Sequence, residues 1–390
     1  MQLADRMKRL GTESAFEVLA KARALEAQGR KIIHLEIGEP DFDTPPHIGE
    51  AAAQAIRDGY THYTPAPGIP ELREAVAAWF SRTRGVDYPP DRIVAVPGAK
   101  PVLFYTIMAL CQQGDEVIYP DPSYPMYQSI SAFAGAKPVP VPLREENEFR
   151  LDPDELAGLL TDRTRIVFLN TPENPCGSAL THEDHTRIAE VLSGRDVYVV
   201  TDEVYWAIRY DGEHSSISQI DGMQDRTILL DGCSKAFAMT GWRMGFAALP
   251  PLLVEPVNRL IINSVSCTAT FVQKAAVAAL EGPFEPVREM VEEFRRRRAV
   301  IVAGLNQVPG FRCLEPRGAF YAFPNIAGTG RSSEEVADYL LDRAGVAILP
   351  GTAFGPGGQG YLRFSYASSV QNIRDALEAI EAVLPELVGD

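Results

Sequence analysis

The 390-residue chain is poor in cysteine, has no long apolar run and carries no block of basic residues. Its five cysteines, Cys111, Cys176, Cys233, Cys267 and Cys313, are odd in number and widely scattered. That spacing excludes a metal-spaced ligand set and gives no disulfide framework, which favours a reducing cytoplasm. No apolar stretch approaches the ~20 residues a membrane-spanning helix needs. Residues 1–30 mix charge with aliphatics (Asp5, Arg6, Lys8, Arg9) and lack the apolar core of a signal peptide. A formal net charge of −15 repels nucleic acid and anionic membranes, so anionic ligands must be held by local arginines and helix ends. Internal repeats and low-complexity tracts are also lacking.

What is present is ordinary for a globular protein: 46% hydrophobic and 23% charged residues. The length suggests two domains. Helical spacing runs from Asp5 to Gln28 and stops at Gly29, and Lys31 to Ile37 reads as a strand leading into Gly38-Glu39-Pro40. Helices follow at about His47 to Asp58 and, opened by Pro70, at Glu71 to Thr83, with the rigid loop Tyr60 to Gly68 between them. From Arg92 the pattern alternates strand, loop and helix. Strands are expected at Arg92–Val96, Glu116–Tyr119, Val139–Val141, Arg165–Leu169, Asp196–Thr201 and Thr227–Leu230, with helices at Pro101–Cys111 and near Met126–Phe133. Such alternation predicts an α/β fold, a mostly parallel sheet covered by helices. After Pro250 three helices (Leu252–Ile262, Val272–Glu281, Val287–Leu305) precede short strands at Phe311–Leu314, Ala319–Phe323, Val346–Leu349 and Tyr361–Ser365. Helices at Ser332–Arg343 and Gln371–Leu384 complete a smaller α+β domain. The expected division is 1–40, an N-terminal helix and strand packing on the small domain; 41–282, the large domain; and 283–390, the small domain. Arg295 to Arg298 reads as a solvated face. Thr181 with Asp184 reads as a helix cap, which makes His182 and His185 poor candidates for a metal pair.

Ligands of parallel α/β sheets sit beyond the carboxyl ends of strands, and four strand ends here carry unusual loops. Gly98-Ala99-Lys100 opens a helix whose free N–H groups suit an anion, although such turns also occur without a ligand. Asn170 to Gly177 is fixed by two prolines and directs Asn174. Asp202, after the run Val197–Val200, is a buried carboxylate that needs a cation or several donors; Tyr205 follows it. Ser234-Lys235, with Arg243 eight residues beyond, joins an amine able to form a Schiff base to a hydroxyl and a guanidinium able to grip a phosphate. Read alone, this stretch also fits an ordinary polar loop. Together the groups match a pyridine aldehyde bearing a phosphate, which is pyridoxal 5'-phosphate. Asp202 would face the ring N–H, Asn174 and Tyr205 the ring oxygen, Lys235 the aldehyde carbon, and Tyr124 the ring face.

With Asn174-Pro175-Cys176-Gly177, Asp202-Glu203-Val204-Tyr205 and Ser234-Lys235…Gly241-Trp242-Arg243-Met244-Gly245 in this order, the chain resembles the class I/II aminotransferases of pyridoxal-phosphate fold type I. The resemblance runs from about Ala15 to the C-terminus. It implies a cytoplasmic homodimer in which Tyr63 reaches the partner's phosphate. It also implies that Arg363 binds the substrate α-carboxylate, helped by the backbone of Gly38. The expected activity is ping-pong transfer of an α-amino group from an L-amino acid to a 2-oxo acid through a Lys235 Schiff base; a β-lyase is the alternative. Cys176 replaces the family's usual threonine and is not needed for catalysis, though a thiol there is an oxidation liability. The substrate stays open between neutral, aromatic and acidic amino acids: an apolar wall near Phe16 favours the first two, an accessible Lys100 the last.

Overall fold

The computed structural model describes residues 3–388; positions 1, 2, 389 and 390, at the ends of the first and last expected segments, lie outside the described residues. Seven strands form the main sheet in the order Ile93–Val96, Gly245–Ala248, Thr227–Gly232, Tyr198–Asp202, Thr164–Asn170, Glu116–Asp121 and Lys137–Pro142. All but Gly245–Ala248 run parallel to one another. Helices shield both faces, so the central strands read as unbroken runs of buried residues rather than as alternations. Lys137–Pro142 behaves differently. It alternates exposed and buried positions and contains Pro138, Pro140 and Pro142, which confines it to the edge because proline donates nothing to a ladder. The α/β fold class read from the sequence is the one observed.

Gly245–Ala248 was not expected as a strand. It has four residues, one glycine and two alanines, and it follows a glycine-containing loop, so neither length nor side-chain type signals it.

Two smaller sheets lie outside the main one. Leu349–Pro350, Leu362–Ser365 and Tyr321–Ala322 pair antiparallel, and Ile33–His34 pairs in parallel with Val346–Ala347. The expected strand at Phe311–Leu314 is reduced to a single bridge between Arg312 and Asn325. Its ladder cannot extend because the Cys313 N–H is already donated to the side-chain oxygen of Asn306, at 2.9 Å. The long N-terminal helix is also interrupted. A 3₁₀ turn, Asp5–Arg9, is followed by a helix only from Ser14 to Glu26. Between them Gly11 donates its N–H to Ser129 Oγ at 2.8 Å, tying the break to the helix Met126–Ala134. The helix itself packs through Ala22 against Ile32, Leu341 and Ala347.

The arginine run is only half solvated. Arg297 and Arg298 are buried, paired to Asp41 and Glu293 and to Asp211 and Glu315. The apolar face of the helix Glu285–Leu305 carries their stems inward beside Phe294. The cap at Thr181 forms as read, with Asp184 closing a capping box, and His185 is buried against Ser215.

Candidate active site

Strand register assembles the site. Asn170 lies beside Asp202, and Asp202 beside Leu230, so two parallel strands end level while the third, Thr227–Gly232, runs two residues further. A second rung is formed by Val96, Gly245 and Gly232. Gly98, Arg243 and Ser234 each lie two residues beyond that rung, and the reversed direction of Gly245–Ala248 is what brings Arg243 to the same rim. The three are packed tightly. Gly98 has φ +82°, and a Cβ there would come within 2.1 Å of Arg243 Nη2; one on Gly245 would meet the Ala99 nitrogen at 2.5 Å. Arg243 itself is left-handed, φ 57°, a strained conformation of the kind that persists where its surroundings enforce it. Its Nη1 donates to the Thr240 carbonyl at 2.9 Å.

These strand ends open into a cavity of about 360 Å³ whose lining includes Gly38, Ala99, Lys100, Tyr124, Asn174, Asp202, Tyr205, Ser234, Lys235, Arg243 and Arg363. Of the residues expected at the site, two lie elsewhere. Gly98 supports the wall from behind Arg243, and Tyr63 is 88% exposed, outside the cavity.

Lys235 sits on one helical turn, Cys233–Ala236, rather than in a loop. Its ammonium donates to the Gly38 carbonyl and lies 5.8 Å from the rings of Tyr205 and Phe320. Burial lowers its pKa to about 8, so the free amine is accessible near neutrality. Gly38 thus presents its carbonyl to Lys235, and it has no room for a side chain, since a Cβ would fall 2.2 Å from the Tyr321 hydroxyl.

Asp202 is buried. It accepts from the Tyr127 hydroxyl at 2.9 Å and from the Val204 N–H at 3.4 Å. Among the described residues no cation pairs with it, and burial pushes its pKa up to about 6. Arg363 mirrors it. The guanidinium is buried, donates to Asn174 Oδ1 at 3.1 Å and to the Glu36 carbonyl, and has no carboxylate within ion-pair distance among the described residues. Tyr321 and Phe354 lie 4.4 and 4.7 Å from it, and its Nε has no acceptor. The cavity therefore sets a buried anion and a buried cation, neither with a counter-ion among the described residues, beside the Lys235 ammonium.

Several lining residues escaped the sequence reading. Tyr321 shares a 2.7 Å hydrogen bond with Tyr205. Tyr127 stacks on Phe168 at 4.6 Å and aims its hydroxyl at Asp202. Glu13 accepts from Tyr124 at 2.9 Å and from Lys100. Each comes from a segment far from the four loops, and only the strand-like run Ala319–Phe323 carried any hint of Tyr321. Cys176 is buried outside the cavity lining, and burial pushes its thiol well up, away from the reactive thiolate. Among the described residues no group of three or more His, Cys, Asp or Glu is placed to hold a metal, and no helix is long and apolar enough to cross a membrane.

One strand-end cavity thus brings together an amine of lowered pKa, a buried carboxylate and a buried arginine. The family model "Aminotransferase class I and II" matches residues 30–380. The chain is 42% identical to "Aromatic-amino-acid aminotransferase 2" of Thermococcus litoralis, over 99% of each chain. It is 41% identical to an aspartate aminotransferase of Pyrococcus horikoshii, covering 98% of this chain and 97% of that one. Among solved structures, the aspartate aminotransferase of Rhizobium meliloti superposes with a TM-score of 0.95 at 38% identity, over 98% and 99% of the two chains. The protein belongs to the class I and II aminotransferase family and is a transaminase.

Proposed function

We propose that the cavity binds pyridoxal 5'-phosphate and that the enzyme transfers an α-amino group from an L-amino acid to a 2-oxo acid in two half-reactions. One observation carries this reading: the unmatched charges of Asp202 and Arg363 in a single cavity. A pyridine N–H answers the first and an α-carboxylate the second, and burial makes each mismatch costly until it is answered. The rest of the lining fits the same group. Ser234 and Arg243, with the turn Gly98-Ala99-Lys100, are the phosphate grip. Tyr205 and the free amide nitrogen of Asn174 serve the ring oxygen, and Tyr124 flanks the ring.

When bound, pyridoxal phosphate supplies an aldehyde that takes up the amino group and a ring that accepts the electron pair left on Cα. Asp202 holds the ring N–H. Arg363, steadied by Asn174, anchors the substrate carboxylate next to Gly38. Lys235 would hold the aldehyde carbon, and its Nζ is placed to take and return the α-proton, which a pKa near 8 suits at neutral pH. The 88% exposure of Tyr63 supports a homodimer in which this side chain reaches the partner's phosphate. The separation of the three sheets supports the division into 1–40, 41–282 and 283–390. Five free cysteines support a cytoplasmic setting.

The test is a half-reaction screen. The purified protein, loaded with pyridoxal phosphate, is mixed with single amino acids while cofactor absorbance and free ammonia are followed. Amino transfer changes the absorbance, releases no ammonia and is reversed by a 2-oxo acid. Ammonia release from a thioether amino acid would instead establish the β-lyase alternative. Lys235→Ala should abolish turnover, and near-normal turnover in that variant would overturn the assignment.

A further inference from the structure

Lys100 lines the cavity, yet its charge is already spent. Its ammonium donates to Glu13 Oε1, the same oxygen that accepts from the Tyr124 hydroxyl at 2.9 Å. Glu13 precedes the helix Ser14–Glu26 and is held over the cavity by the segment that Gly11 anchors on Ser129. Its side chain is only 21% exposed, whereas that of Lys100 is 47% exposed. Phe16, Leu349, Ala353 and Phe354 line the same space, so the ammonium of Lys100 is neutralised from within beside apolar side chains.

We propose that Glu13 is a specificity-determining residue: an internal carboxylate on Lys100 that competes with the distal carboxylate of dicarboxylic substrates and tunes the enzyme toward neutral, apolar or aromatic amino acids. The inference rests on the transaminase reading, in which Arg363 takes the α-carboxylate and the side chain extends toward Lys100. A dicarboxylic substrate gains Lys100 only by displacing Glu13, which also gives up the Tyr124 hydrogen bond. A neutral side chain leaves the Glu13–Lys100 pair intact and loses nothing. Glu13 touches Tyr124 and Lys100, both assigned above to the cofactor, so the cofactor content of every variant is measured by absorbance and matched to the wild type before titration.

The test is calorimetric titration of the protein loaded with pyridoxal phosphate, using two unreactive carboxylates, succinate and 3-phenylpropanoate. The wild type should bind 3-phenylpropanoate more tightly. In Glu13→Gln, succinate affinity should rise by about tenfold, the scale of one charge-assisted hydrogen bond gained, with 3-phenylpropanoate within about threefold of wild type. Adding Lys100→Met to Glu13→Gln should remove most of that gain. Succinate affinity in Glu13→Gln that matches wild type overturns the proposal, as does a gain that survives Lys100→Met in full. Binding needs no turnover, so the two readings fail separately. A protein that binds both carboxylates as expected and yet transfers no amino group in the half-reaction screen overturns the proposed half-reactions but not the carboxylate preference that Glu13 sets.

Discussion

The side-chain oxygen of Asn174 accepts a hydrogen bond from Nη1 of Arg363 at 3.1 Å, joining the loop after a main-sheet strand to the central strand of the three-stranded sheet. Asn174 thereby fixes the direction of a buried guanidinium that has no carboxylate to fix it. Asn174→Ala should free Arg363 to swing and should also remove the amide proposed for the ring oxygen. The expected result is a rise in KM for the amino donor of about tenfold, the scale of one hydrogen bond to a charged group, together with a lower kcat. Steady-state kinetics with a single donor measures both. Unchanged KM would show that Arg363 does not depend on Asn174.

Asp202 makes the cofactor-free protein sensitive to pH. Burial raises its carboxyl from about 3.8 to about 6, so the folded state keeps a proton there that the unfolded chain has released. That contribution to stability is complete below the unfolded value, near pH 4, and is lost as pH rises through about 6, at a cost on the order of 2–3 kcal/mol. Asp202→Asn stays neutral throughout. Without cofactor it should melt above the wild type at pH 7.5, converge with it below about pH 4, and lose most activity when cofactor is supplied. Coincident melting curves at pH 7.5 would contradict the argument.

Arg84 holds together a second buried cluster just behind the site. Its Nε lies 3.0 Å from Glu203 and its Nη2 2.8 Å from Asp231, with all three side chains essentially inaccessible. It also stacks over Trp206 at 4.3 Å. Arg84→Met leaves Asp231 without a cation and Glu203 with His214 alone, at 2.8 Å, and removing one partner of a buried pair costs about 3–5 kcal/mol. Urea unfolding should show that loss. A midpoint shift too small to resolve would mean that the cluster relaxes or admits water.

Gly98→Ala tests the tightest approach at the rim. The added methyl meets Arg243 Nη2 and must also adopt φ +82°, which L-residues avoid. Arg243 has to move, so pyridoxal phosphate should dissociate at least about tenfold more readily, as followed by equilibrium dialysis. Wild-type retention would show that Arg243 plays no part in holding the phosphate.

The residues visible in the sequence were those whose strand announced them. Asp202 ends an apolar run and Asn174 sits in a proline-fixed loop; Lys235 follows a run of buried aliphatics. Tyr127, Tyr321 and Glu13 were not legible, because each reaches the cavity from another part of the chain and looks locally like a core aromatic or a surface acid. Lys100 illustrates the same limit. Its position at a helix start could be read, but the partner that cancels its charge lies 87 residues away in sequence. Arg297 and Arg298 misled for the opposite reason, since a run of four arginines looks solvated until Asp41 and Asp211 are brought against it.

The reversed strand Gly245–Ala248 has a consequence for how this chain can vary. Were it parallel to Thr227–Gly232, its first residue would start at the far rim, about 13 Å away for four residues of extended chain. Because it returns antiparallel, Ser234 and Arg243 are spaced by the shared rung and not by the length of chain between them. Residues 237–241 do not set that spacing, yet they are not free to vary: Phe237 and Met239 are buried, and the Thr240 carbonyl accepts from Arg243 Nη1. A slip of one position in the pairing of Gly232 with Gly245 would turn Arg243 to the other face of the sheet. Strand register and loop packing thus constrain the same dozen residues together.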